Sequence, residues 1–138
     1  MNIRPYQDKD YDEVKVILQQ GGHFDDVWDS RSHWKAKSEN DSNSILIAEN
    51  DDGVLGCILI IKDKWTCFLF RLAVIEDQRG KGIGSSLISH AEEMLKKDSE
   101  DEVAIFVNED DAGLQQYYEK RGYLRGGKYR CLYKKLKG

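Results

Sequence analysis

Apolar positions along this chain repeat in two rhythms, and the alternation between them outlines its elements. Asn2-Ile3-Arg4 predicts a short opening strand turned by Pro5. From Asp10, the apolar residues Tyr11, Val14, Ile17 and Leu18 fall at helical spacing, and Gly21-Gly22 ends that helix. Residues 23–43 are polar and weakly periodic, with a short helix expected to start near Asp29 or Ser30 and to carry Trp34. Residues 44–49 and 54–61 read as strands joined at Asp51-Asp52-Gly53, a hairpin turn. Residues 66–75 form an apolar run rich in branched and aromatic side chains, as in a buried central strand, interrupted by Arg71. After a glycine-rich segment, Ile83, Leu87, Ala91, Met94 and Leu95 give a helical stripe, with Lys96-Lys97 suited to its C-terminal dipole. A strand at 103–107, a helix at 112–121 ended by Gly122, and an alternating last segment at 129–136, read as one or two strands, complete the pattern. The sum is a single α+β domain, residues 1–138, around a mostly antiparallel sheet.

Composition sets the limits. At 138 residues the chain can bury a core without staples, and 40% hydrophobic with 33% charged residues excludes a disordered or low-complexity chain. The longest mostly apolar stretch, 54–61, falls far short of the roughly 20 residues of a membrane helix. The N-terminus shows no apolar signal core, so a cytoplasmic protein is expected. Cys57, Cys67 and Cys131 are odd in number, form no CxxC, and are expected as reduced core residues. His23, His33 and His90 have no metal-ligand spacing, so no metal is expected. The net charge of -4 argues against nucleic acid as partner, although residues 117–138 hold eight Lys or Arg against one acid.

The segment that carries chemistry is Gln78-Arg79-Gly80-Lys81-Gly82-Ile83-Gly84, which follows the most apolar strand and opens a helix. Glycine lets backbone N–H groups approach an anion closely, and the helix N-terminus adds its positive dipole end. Arg79 and Lys81 add formal charge, and Ser85 stands in the first helical turn as a phosphate or capping contact. A phosphate or pyrophosphate is implied. No Walker loop fits, and a dinucleotide fingerprint counted from Gly80 fails at Ser85.

Together with Leu72-Ala73-Val74 before it and the helix after it, this segment resembles the acetyl-CoA motif of the GNAT superfamily of N-acetyltransferases. Tyr117-Tyr118-Glu119-Lys120-Arg121-Gly122-Tyr123 resembles the family's second signature, in the right order and separated from the first by a helix and a strand. The resemblance runs from about residue 44 to the C-terminus. It implies a twisted, mostly antiparallel sheet of six or seven strands with helices on both faces and a central splay between the 66–75 and 103–107 strands. It implies acetyl-CoA as co-substrate, with the backbone of Leu72, Ala73 and Val74 on the pantetheine. Arg79, Gly80, Lys81, Gly82, Ile83, Gly84 and Ser85 would hold the pyrophosphate. The implied reaction is direct attack of a primary amine of a small molecule or protein, with Tyr118 as general acid. Tyr117 and Tyr123 are expected to pack.

Departures from the family pattern leave the general base unassigned. Asp111 stands where the family often carries asparagine. Phe106 stands at one position that holds glutamate in some members, and residues 68–72 contain no acid. A silent acyl-CoA-binding regulatory module and an unrelated phosphate-binding domain remain as alternatives. Homodimers are common in the resembling family, and a homodimer is one expectation for this chain.

For the acceptor, charge is the guide. The connection between the first two helices brings Asp25, Asp26 and Asp29 beside Phe24 and Trp28. Acids with aromatic faces attract ammonium groups, so a cationic amine is expected at Asp25, Asp26 and Trp28. The alternative is a solvated loop whose Trp28 plugs the core.

Overall fold

The computed structural model describes residues 1–137. They fall into two units, the first Met1–Ile105 and the second beginning at Phe106. The first contains β1 (Asn2–Pro5), α1 (Tyr11–Gln20), α2 (Arg31–Asn40), β2 (Ile45–Asn50), β3 (Gly53–Lys62), β4 (Cys67–Val74), α3 (Ile83–Lys97) and β5 (Ala104–Ile105). Its five strands lie in sequence order in one sheet, antiparallel from β1 to β4 and parallel between β4 and β5. This is the α+β content expected. Among the described residues the sheet has five strands, where the resemblance implied six or seven.

Both faces of the sheet are covered. Val14, Ile17 and Leu18 of α1 and Trp34 of α2 pack with Ile45, Ile47, Cys57 and Leu59 in one core cluster. Period-two alternation sends Leu46, Ala48, Ile58 and Ile60 to the opposite face, where α3 buries Ile83, Leu87, Ile88, Ala91 and Leu95. That double burial explains why β3 reads as a continuous apolar run. Gly56 of β3 sits where the layers are tightest: a Cβ there would lie 2.7 Å from the Ala73 carbonyl oxygen and 3.3 Å from Leu87.

The poorly periodic stretch resolves through a cap. Ser30 accepts from the His33 N–H at 3.3 Å and starts α2. This helix buries only Trp34 among its own residues, so its sequence shows almost no apolar stripe. Trp28 does not plug the core; it is 70% exposed and Trp34 takes that role.

The second unit contains α4 (Ala112–Glu119). Asp111 is its N-cap, accepting from the Leu114 N–H at 3.0 Å, and Gly122 follows the helix at φ 91°. The strand expected at 129–136 is absent: those described residues form no ladder, and Tyr129, Leu132, Tyr133 and Leu136 are all exposed. Alternation specifies a strand only where a neighbouring edge accepts the hydrogen bonds. Cys131 lies in this exposed segment and is no core residue, unlike the buried Cys57 and Cys67.

One buried charge fixes the start of the chain. Asp10, 2% exposed, receives two 2.8 Å hydrogen bonds from Arg4 and another from the Gln7 amide. Burial works against its charge, but the Arg4 and Gln7 bonds outweigh it and hold the carboxyl below the usual carboxylate range. A depressed folded value means stability that is present above the unfolded value and lost as pH falls through the folded one. Asp10→Asn should therefore lower stability at neutral pH by about 2 kcal/mol, less than a fully severed buried pair because Arg4 keeps Glu49. Urea melts repeated from neutral pH down to roughly pH 2 should also show a shallower acid limb in the variant.

Candidate functional site

Three groups of residues carry the candidate chemistry. The first is the turn between β4 and α3. Gly80 and Gly82 adopt φ 79° and 83°, the left-handed region that glycine enters at no steric cost, and Gly82 caps α3. A Cβ built on either meets nothing within 4 Å, so both face open space. Ser86 N–H is bonded to the Gly82 carbonyl at 3.0 Å, which leaves the Ile83 and Gly84 amides outside the helical ladder. Arg79 Nε donates to the Val74 carbonyl at 3.1 Å and Lys81 Nζ donates to Gln78 at 3.1 Å, both exposed. The arrangement brings together free amides, a positive dipole end and two cations, a combination that can cradle an anion.

The second is the upper part of β4. Its register against β3 shifts between Cys57 and Leu59, so that Arg71 and Leu72 together oppose Ile58. Arg71 sits in this bulge at φ 51°, a conformation that costs a non-glycine residue roughly 1 kcal/mol. On its other side β4 pairs with β5 only at Phe68 and Leu69. Leu72, Ala73 and Val74 therefore have no strand partner on that edge among the described residues, and a ligand with amide groups can bond there.

The third is a cavity of about 350 Å³ between α2 and the face of β3 and β4. Trp28, Leu59, Ile61 and Phe70 supply apolar walls, and Asp29, His33, Lys37 and Arg71 supply polar groups. Asp29 is 3% exposed, and its carboxylate is fully engaged. It accepts from Trp34 Nε1 at 3.1 Å, from the Asp25 amide at 3.0 Å, and from the Arg71 guanidinium at 3.2–3.3 Å. Lys37 Nζ donates to the Ile60 carbonyl at 2.6 Å and stands 5.3 Å over the Phe70 ring. Burial pushes its pKa down from the ordinary lysine value.

In the second unit Tyr118 is 4% exposed, its ring edge-on to Tyr117 at 5.2 Å and to Tyr123 at 5.4 Å. Burial pushes its pKa up to about 12, so the phenol keeps its proton at neutral pH.

A glycine turn after a half-paired strand is the arrangement the resemblance implied, and comparison with known proteins decides the family. The profile of the Acetyltransferase (GNAT) family matches residues 8–123, across both units. The chain belongs to the GNAT acetyltransferases. A curated relative, an acetyltransferase of Yersinia pestis (strain Pestoides F), is 28% identical over 123 residues, covering 89% of this chain and 87% of its own. Among solved structures, Ard1 from Thermoplasma volcanium superposes with a TM-score of 0.79 at 21% identity, covering 91% of this chain and 84% of its own. The PaiA N-acetyltransferase from Thermoplasma acidophilum, solved in complex with coenzyme A, gives a TM-score of 0.74 at 20% identity, with 87% of each chain covered.

Within this GNAT chain, the residues expected from the sequence fall into place unevenly. Arg79, Gly80, Lys81, Gly82, Ile83, Gly84 and Ser85 form one turn, contiguous with Leu72, Ala73 and Val74 through the short Glu76–Gln78 helical turn. Trp28 reaches the cavity, 5.8 Å from the His33 ring. Asp25 and Asp26 are exposed and do not line it, and the Asp25 carboxylate is engaged by the Val27 and Trp28 amides at 2.9 Å. Backbone hydrogen bonds from Trp28 and Val27 hold Asp25 below the usual carboxylate range. His33, Lys37 and Phe70 were missed by sequence reasoning, and Asp29 was counted among the loop acids without being assigned to the site. Only Arg71, an isolated charge in an apolar strand, gave a signal that this wall is polar.

Asp29 should prove the main support of the cavity. Asp29→Ala leaves the Arg71 guanidinium and the Trp34 indole N–H without their acceptor and should cost about 3 kcal/mol. Asp29→Asn, which keeps an acceptor oxygen for Trp34, should cost less. Urea melts of both variants check the order.

Proposed function

We propose that this protein transfers the acetyl group of acetyl-CoA to a primary amine. The observation that carries this reading is the pair of left-handed glycines, Gly80 and Gly82, facing open space at the mouth of α3. The residues present fit the co-substrate. The amides of Ile83 and Gly84, with Arg79 and Lys81, suit the pyrophosphate, and the half-paired edge at Leu72, Ala73 and Val74 suits the amide groups of the pantetheine arm. What acetyl-CoA supplies is an acetyl group activated as a thioester. The amine attacks that carbonyl carbon; a C–N bond forms, the C–S bond breaks, nitrogen loses a proton and sulfur gains one.

Tyr118 is proposed to support the departing sulfur. Its pKa of about 12 lies above the roughly 8.5 of an ordinary thiol, so complete proton transfer from the phenol to the thiolate is uphill. A hydrogen bond to the developing thiolate carries no such penalty, and that is the part assigned to Tyr118. The GNAT signature around Tyr118 supports this reading, and the PaiA structure solved with coenzyme A supports the co-substrate.

Release of CoA thiol over a panel of amines tests the activity, and calorimetry with CoA tests the cradle. CoA binding without thiol release from any amine would instead mark a silent acyl-CoA-binding module. Gly82→Ala should weaken CoA at least tenfold, because its methyl group enters the space reserved for the anion. The stability cost should be about 1 kcal/mol, set by φ alone. Unchanged affinity would remove the turn from the site.

Tyr118→Phe should lower kcat about ten- to a hundredfold with little change in CoA affinity. In the parent enzyme the alkaline side of the kcat profile should show no fall up to roughly pH 10, since a tyrosine raised by burial stays protonated there. A variant as fast as the parent would exclude the assignment.

A further inference from the structure

We propose that the cavity between α2 and the β3–β4 face takes a small primary amine that bears a carboxylate, with Lys37 as the counter-ion of that carboxylate. This rests on acetyl transfer as the activity and names the acceptor class at that site. It runs opposite to a cationic acceptor, and the charge balance of the cavity is the reason.

Four polar groups reach the cavity, and two cancel. Asp29 and Arg71 neutralise one another, and the remaining acceptor capacity of Asp29 goes to Trp34 and the Asp25 amide. What remains is the His33 imidazole, beside the Trp28 ring at 5.8 Å, and the Lys37 ammonium. Among the described residues no carboxylate lies within ion-pairing distance of it, and its one protein acceptor is the Ile60 carbonyl. An ammonium has three donors, so two are left for a ligand. The neighbouring acid, Asp41, raises the Lys37 pKa only through space, and burial outweighs it. A half-buried cation without an acid is costly alone and is relieved by an anion brought in with the substrate.

The walls define the rest of the molecule. Trp28 and Phe70 offer aromatic faces, Leu59 and Ile61 aliphatic ones, and about 350 Å³ suits a small molecule with an apolar or aromatic body. Position along β4 links the cavity to the chemistry: Phe70 and Arg71 line it, and Leu72, the next residue, opens the edge assigned to pantetheine.

A matched set of amines tests this directly: phenylalanine, phenylalaninamide and phenethylamine, compared at one pH per concentration of free base. With the parent enzyme, thiol release should show kcat/KM for phenylalanine at least tenfold above the other two. Lys37→Met keeps the buried stem and removes the charge, and should erase that preference through KM; Lys37→Arg should retain it. Calorimetry gives a readout independent of turnover: N-acetylphenylalanine should bind the parent at least tenfold more tightly than N-acetylphenethylamine, and equally weakly in Lys37→Met. Should Lys37→Met fail to fold, the parent comparisons and Lys37→Gln decide in its place. Turnover with no carboxylate preference, a preference for phenethylamine, or a preference that survives loss of the lysine charge would overturn the acceptor class and leave acetyl transfer standing. Bound CoA with no thiol release from any amine would overturn acetyl transfer, and the acceptor class with it.

Discussion

The side of the sheet that faces α2 depends on one carboxylate. Asp29 is nearly fully buried, and its oxygens join three segments that the chain keeps apart: the loop at Asp25, the indole of Trp34 in α2, and Arg71 in β4. Its backbone carbonyl accepts from the Tyr11 hydroxyl at 2.6 Å, which adds α1 to the same point. A buried charge is tolerated only when its lone pairs are filled, and here nearly every donor comes from a different element. α2 buries a single large side chain of its own, so Asp29 shares the task of holding it against the sheet with few other contacts, chiefly the Lys37 bond to the Ile60 carbonyl.

β4 is the second constraint, because one short strand borders both proposed ligand sites. Its lower half is paired on both edges, and its upper half is released from β5 and bulged against β3. The bulge places Arg71 at φ 51°, a conformation glycine would adopt more cheaply, and the ion pair with Asp29 is the compensation in view. A glycine there would relax the backbone and leave Asp29 as an uncompensated buried charge. The side chain is therefore retained against the local preference of the backbone.

Much of this was legible in the sequence where one element carries its own signal. The stripe from Ile83 to Leu95 fixed α3 because those residues bury one face, and the run around β4 read as a strand because its side chains are apolar on both faces. The glycine turn was legible because Gly80 and Gly82 need a conformation few other residues accept. The cavity was not, since Trp28, Lys37, Leu59 and Arg71 meet only after four elements have packed. Charge counting on the loop favoured Asp25 and Asp26, yet the residue that enters is Asp29, and it enters already paired. Residues 129–136 show the opposite failure, a clear alternation with no partner edge to make it a strand.

Gly56 ties the two halves of the proposed CoA site into one part. The missing methyl group on β3 sits between the Ala73 carbonyl, on the β3 side of the strand whose other edge is assigned to pantetheine, and Leu87, in the helix whose first turn is proposed to hold the pyrophosphate. Any larger residue would wedge the strand from the helix and open the clamp at both ends together. In the proposed complex, the span between thioester and phosphates is thus gauged by an atom the chain leaves out, since strand and helix move together while that gap stays closed.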